Sequence, residues 1–288
     1  MGLQHFGVSG ARISAEDAAL TDEVVQFIVD QRQAAEDTRL QNTEVLQAGW
    51  PGSPAAPVRR LGGTSSRMDL PPMEATVLTP ERLSEAAALT SRAFQDTPVY
   101  REMVPDPAKR QDFLLWLFER NFWLRLGSDS TRCIFDNRAG EAGGGERELV
   151  MFFMLVKPTT PRLTMWDMVR AGLLRGFLLH GITSMKRMIE IKAWLEERER
   201  EVLGERTGSV ARLERVTVLP SRQGQGIGTR ALQAALNELD DLKLPTFLCT
   251  QEERNVTFYE RLGFHVIADE ICPIGQAFRN WMMLREPH

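Results

Sequence analysis

The chain has 288 residues, 43% of them hydrophobic and 26% charged, enough apolar mass for a packed core with an ordinary charge content. A formal net charge of −4 gives no electrostatic ground for binding nucleic acid or a membrane surface. Cys133, Cys249 and Cys272 are too few and too scattered for a disulfide framework or a zinc cluster, so they read as buried small side chains in a reducing compartment.

The longest unbroken apolar run, Leu149 to Val156, falls far short of the roughly 20 residues a spanning helix needs. The N-terminus lacks the apolar region of a signal peptide, and Glu16 and Asp17 speak against an acid-poor transit peptide. The expectation is a soluble protein of the cytoplasm, with the nucleus left open.

Residues 1–72 read as an N-terminal extension. A helix start at Ser14-Ala15-Glu16-Asp17 and a weak stripe of Val24, Val25, Phe27 and Ile28 precede a Gly/Pro/Ser-rich linker from Gly49 to Pro72. The stripe either docks on another surface or frays. The folded part begins near Met73, with a short strand over Ala75–Leu78 and a helix opened by Thr79 and Pro80 that runs to Phe94. Loop signals at Asp96-Thr97-Pro98 and Val104–Pro107 precede a second, apolar helix from Lys109 to Leu126.

Strands follow over Thr131–Phe135 and Leu149–Val156, joined by the glycine-rich connection 136–148. Residues 159–207 read as helical, broken at Gly172, Gly176 and Gly181, with one continuous helix from Met185 to Glu201. His180 in this stretch sits among apolar residues and reads as structural. Further strands fall at Leu213–Val218, Thr246–Gln251, Phe264–Ala268 and Asn280–Leu284, and a short helix over Asn255–Leu262 ends at Gly263.

The segment from Leu213 to Leu232 organises the rest. A strand ends at Pro220, a turn carries Gly224, Gly226 and Gly228, and an amphipathic helix follows with Ala231, Leu232, Ala235, Leu236 and Leu239 on one face. The N–H groups of Gln223 to Thr229 and the positive end of the helix dipole make an anion site suited to the phosphates of a nucleotide-bearing group. The third glycine of a dinucleotide fingerprint is missing, and the about sixty residues that remain are too few for the second half of a doubly wound fold. No Gly-Lys-Ser/Thr follows, which excludes a P-loop.

Two segments fit together better: Val218-x-Pro220-x-x-Gln223-Gly224-x-Gly226-Ile227-Gly228, and Asn255-x-x-Phe258-Tyr259-Glu260-Arg261-Leu262-Gly263-Phe264. With one strand between them they resemble the GNAT family, the Gcn5-related N-acetyltransferases, whose Gln/Arg-x-x-Gly-x-Gly/Ala signature is met by Gln223, Gly226 and Gly228. The order of elements over 73–288 resembles that family as well, in a branch found often in fungi; 1–72 lies outside the resemblance. The fold class expected is α/β (α+β): a central mixed, mostly antiparallel twisted sheet flanked by helices, with a helical insert at 159–208 before the cofactor-binding strand.

The resemblance implies acetyl-CoA as acyl donor, no metal, and transfer to a primary amine by direct attack in a ternary complex. The acceptor would be a small amine or an exposed amino group of a protein or peptide. The resemblance assigns Val216, Val218, Gln223, Gly224, Gln225, Gly226, Ile227, Gly228, Thr229 and Asn255 to the cofactor, with the Val218 N–H at the thioester carbonyl. Tyr259 matches the tyrosine that protonates the departing thiolate. Glu214, four residues before Val218, would face the same side of a regular strand and accept the amine's proton; an exposed or salt-bridged strand glutamate beside Arg212 and Arg215 is the alternative. Asn255 matches a position near the pantetheine, or is a helix N-cap. An acyl-CoA-binding sensor without efficient catalysis is the competing function, and a Rossmann-type reductase a distant third.

Overall fold

The computed structural model describes residues 75–136, 147–161, 163 and 165–288. All lie in one compact unit, Asp69–His288. The readings of residues 1–72, and of most of the 136–148 connection, fall outside the described residues.

A single 3-10 turn, Pro80–Arg82, leads into α1 (Leu83–Phe94), followed by α2 (Pro98–Met103) and α3 (Pro107–Trp123). Then come β1 (Thr131–Asp136), β2 (Glu148–Val156), and three helices, α4 (Met165–Arg170), α5 (Leu173–His180) and α6 (Ile182–Leu203). The second half runs β3 (Ala211–Val218), α7 (Ile227–Asp241), β4 (Thr246–Thr250), α8 (Glu253–Glu260), β5 (His265–Cys272) and β6 (Phe278–Arg285). The strands form a six-stranded sheet ordered β1-β2-β3-β4-β6-β5. Only β3 and β4 run parallel; the other neighbours are antiparallel. This is the mixed, mostly antiparallel architecture that the family resemblance implies.

Four local readings need correction. The strand expected over Ala75–Leu78 shrinks to one bridge, Thr76 to Cys133. Between the two proline-rich loop signals the chain forms α2, because Pro98 takes the first helical position, where its missing N–H costs nothing. Gly172 and Gly181, at φ +97° and +80°, do separate helices, but Gly176 sits inside α5. A Cβ there would lie 2.5 Å from the Trp116 ring, so the glycine serves close packing of α5 on α3. Finally, β5 runs on to Cys272, beyond the expected end.

Alternate residues of β2 serve opposite layers. Met151, Phe153 and Leu155 join a core with Leu213, Leu232, Leu236, Leu248 and Met283, covered by α7 and α8. Phe152 instead meets Phe122 of α3, with ring centroids 4.4 Å apart. Burial on both faces explains why β2 is an unbroken apolar run. On the α3 side, α2 is clamped at its base: the buried Arg110 donates to the carbonyls of Gln95, Val104 and Pro105 at 2.6, 2.8 and 3.0 Å.

Candidate active site

The parallel strands β3 and β4 share a ladder only at Ala211–Thr246 and Arg212–Phe247. Beyond it, Leu213–Val218 and Leu248–Thr250 run on apart and leave a wedge-shaped opening in the middle of the sheet. Polar backbone groups along such an opening lack ladder partners and are available to a ligand. On the far side of β3, the Leu219 N–H donates to the Val150 carbonyl at 2.9 Å. Backbone groups alternate in direction along an antiparallel strand, so the Val218 N–H points into the opening.

The glycine loop closes one end of the opening. Gly224 and Gly226 take φ +75° and +73°, a conformation that L side chains rarely adopt, and open space surrounds the place of a Cβ at each. Gly226 is the N-cap of α7. Among the described residues, no backbone or side-chain acceptor takes the N–H groups of Gly224 to Thr229. Gln223 departs from the expectation, since its own N–H donates to the Pro220 carbonyl at 3.3 Å. Its side chain donates to the Val218 carbonyl at 3.1 Å, and that of Gln225 to the Ser221 carbonyl at 3.2 Å, so both glutamines brace the loop. Arg222 pairs with Asp136 at 3.1 Å and Glu148 at 3.2 Å, tying the loop to the ends of β1 and β2. Gly228 is helical; a Cβ there would rest in ordinary contact, 3.5 Å from Val218 and 3.6 Å from Phe258.

Tyr259 lies in α8 between Phe258 and Phe264, with ring centroids 5.2 and 5.7 Å away. It belongs to the same core as Val216 and Val218, on the α7/α8 side of the sheet. Burial raises its pKa, so the phenol stays protonated. Asn255 is not the N-cap of α8, a position held by Glu252; its side chain donates to Thr250 Oγ1 at 3.2 Å and fastens the helix to β4.

Glu214 does not share a face with Val218. The ladder pairs Thr217 with Phe152 but Glu214 with Met154, so β3 carries one extra residue in between, where Arg215 sits at φ +54°. This bulge resets the alternation and turns Glu214 to the α1–α3 side. The salt-bridged alternative also fails: Arg212 pairs with Glu199, Arg215 lies over the Phe118 ring at 5.6 Å, and Glu214 has no ion pair among the described residues. The half-buried carboxylate acts through space on Tyr100, Arg125 and Arg215. The Tyr259 ring thus lies on one side of the sheet and the Glu214 carboxylate on the other.

Two residues on that second side escaped the sequence reading. Tyr100 is buried on α2, and burial together with the field of Glu214 raises its pKa against the opposing field of Arg215. Arg215 loses charge stability through burial, but the fields of Tyr100 and Glu214 outweigh that and keep its pKa raised. No motif marks either residue, because a bulge cannot be read from residue types. Arg230, one turn into α7, holds its Nε buried without a hydrogen-bond partner among the described residues. His180 packs on Phe113 and Trp116 at 5.3 and 5.0 Å, and burial lowers its pKa, as befits a structural imidazole.

Residues 182–283 match the model of an acetyltransferase (GNAT) domain. A solved structure from Corynebacterium glutamicum, described as histone acetyltransferase HPA2 and related acetyltransferase, is 14% identical over 75% of this chain and 97% of its own, with a TM-score of 0.50. A mosquito arylalkylamine N-acetyltransferase like 5b is 13% identical over 74% of this chain and 99% of its own, with a TM-score of 0.44. The matched range holds all of α6, then β3, the glycine loop, α7, β4, α8 and β5, and most of β6. Residues 182–283 are thus similar to an acetyltransferase (GNAT) domain, and the Corynebacterium glutamicum structure shares the fold.

Proposed function

We propose that the protein transfers an acetyl group from acetyl-CoA to a primary amine by direct attack in a ternary complex. One observation carries this reading: an opening between β3 and β4 has free backbone donors at its end, in the glycine loop, and within it, at Val218. The residues suit the cofactor, because Gly224 and Gly226 leave room where any Cβ would stand and the loop N–H groups have no acceptor of their own among the described residues. Bound there, acetyl-CoA would supply a thioester acetyl group and a thiol leaving group.

The loop N–H groups from Gly224 to Thr229 and the N-terminus of α7 would hold the pyrophosphate. Val216, Val218 and Asn255 would flank the pantetheine, and the Val218 N–H would donate to the carbonyl oxygen as negative charge develops on it. Tyr259 keeps its proton and would deliver it to the departing sulfur. Glu214, on the other side of the opening, would take the proton of the attacking amine directly or through water. The catalytic unit in this reading is 73–288, with 159–208 as its helical insert and 1–72 as an extension. We assign it to the cytoplasm, and the acceptor is a small amine or an exposed amino group.

Titration with acetyl-CoA, followed by thiol release over a panel of amines, tests the reading. Binding together with amine-dependent release supports it. Binding without transfer to any amine would leave an acyl-CoA sensor, and absence of binding would remove the cofactor assignment.

A further inference from the structure

In a regular strand consecutive side chains point to opposite faces. The bulge in β3 breaks that rule and puts Glu214 and Arg215 on the same side. A left-handed non-glycine residue is strained, and such strain persists where something in the surroundings holds it. What the strain achieves here is a cation and a carboxylate side by side at the edge of the opening.

The Phe118 ring forms the floor for this pair. The Arg215 guanidinium lies 5.6 Å above it, and the Tyr100 ring meets it edge-on at 5.7 Å. Neither the half-buried guanidinium nor the Tyr100 hydroxyl makes a side-chain hydrogen bond or an ion pair with any described residue. Other buried or half-buried arginines of the second half hold carboxylates, as Arg212 does Glu199 and Arg285 does Asp240. The neighbours of Arg215 keep its guanidinium charged, and its N–H donors, without an acceptor among the described residues, are open to an anion. Arg125 adds positive field on the same side while its own NH1 donates to the Pro161 carbonyl at 2.7 Å.

We propose that the acceptor is an amine that also carries a carboxylate a short distance away, as a free amino acid does. Arg215 and Tyr100 hold the carboxylate, and Glu214 receives the amine. This rests on the acetyltransferase reading and narrows its substrate class. Arg215 suits the task because its planar fork can bind a carboxylate through two parallel bonds.

The test compares each of several α-amino acids with its own carboxamide as acceptor at saturating acetyl-CoA, in the wild type, Arg215→Gln and Arg215→Lys. Calorimetry with N-acetylglycine and N-acetylglycinamide gives a second reading that needs no turnover. The expected result is a kcat/KM preference for the acid of about tenfold or more. That preference falls toward one in Arg215→Gln and is partly kept in Arg215→Lys, and N-acetylglycine binds more tightly than its amide. Equal use of acid and amide by the wild type, or a ratio unmoved by Arg215→Gln, overturns the carboxylate assignment while leaving acetyl transfer standing. If no amine of either kind is acetylated although acetyl-CoA binds, the acetyltransferase reading has failed and this inference with it.

Discussion

The carboxylate of Glu102 accepts the backbone N–H of Gln276 at 2.7 Å, and this bond fastens α2 to the turn between β5 and β6. Arg187 of α6 donates to the Glu102 carbonyl at 3.3 Å from the third side. A cavity of about 480 Å³ lies where the three meet, lined by Arg101, Glu102, Pro105, Arg187, Gly275 and Gln276. Since Arg110 clamps the base of the same helix, Tyr100 is carried on a strap held at both ends. Glu102→Ala should free the tip, with faster amide exchange at Gln276 and a stability loss of about 0.5–1.5 kcal/mol. The acceptor KM should rise while acetyl-CoA affinity stays as it was. An unchanged KM would separate α2 from the acceptor site.

The glycine loop gives a sharper prediction. Gly226 stands at φ +73° as the cap of α7, so Gly226→Val both strains the backbone and fills the space in front of the free N–H groups. Acetyl-CoA binding should weaken tenfold or more, since strain alone costs about 1–2 kcal/mol and each lost charge-assisted bond adds to it. Gly228→Ala is the contrast, because its Cβ would meet Val218 and Phe258 at ordinary contact distance. It should fold normally and bind with a smaller loss. If Gly226→Val binds as the wild type does, the phosphates lie elsewhere.

The strand, glycine loop and helix from Ala211 to Asp241 were legible because their signals are local. Glycines at alternate positions, a proline at the strand end and apolar residues at helical spacing are each a property of the few residues that carry them, and β3, the loop and α7 follow from those alone. The surroundings of Glu214 and Tyr100 were not, because their features depend on pairing and packing. Whether Glu214 faces with Val218 is decided by the register of β3 against β2, and a bulge at Arg215 leaves no mark in residue type. Tyr100 reads as one residue in a proline-punctuated loop until α2 and Arg110 place it. Gly176 is another such case, a helix breaker by composition and a packing contact by its neighbour Trp116.

The proposed reaction gives the two faces of the sheet different chemical roles, which mutants can tell apart. Tyr259→Phe removes a hydroxyl from a site otherwise packed by Phe258 and Phe264, so folding and acetyl-CoA affinity should change little. Turnover should fall by roughly 10²-fold, the usual contribution of a positioned acid. Glu214→Gln should lower turnover at neutral pH, with the deficit narrowing as pH approaches the amine's own pKa, about 10 for a lysine-type amine. There the acceptor sheds its proton unaided. Equal turnover in Tyr259→Phe takes that residue out of the mechanism, and a deficit in Glu214→Gln that is flat with pH makes the carboxylate structural.

Burial of Cys133 sets the last prediction. It lies fully buried in β1, with its backbone bonded both ways to Thr76 at 2.9 and 2.7 Å. Burial pushes its thiol up to about 12, the field of Glu85 adds to the shift, and Arg82 opposes it. A folded-state value above the unfolded one means that the native form keeps a proton the unfolded chain has lost, so stability falls as pH rises between the two. The contribution is whole below about pH 8.5, the ordinary thiol value, and is lost on the way up to the folded value. The urea midpoint should therefore hold through neutral pH and decline above it. Cys133→Ala should start lower by about 1 kcal/mol for the lost sulfur and decline less steeply. Native protein should resist iodoacetamide at Cys133 at pH 8, where thiolate is scarce and access is closed. Alkylation there at the rate of a free thiol would show that β1 is not packed as described.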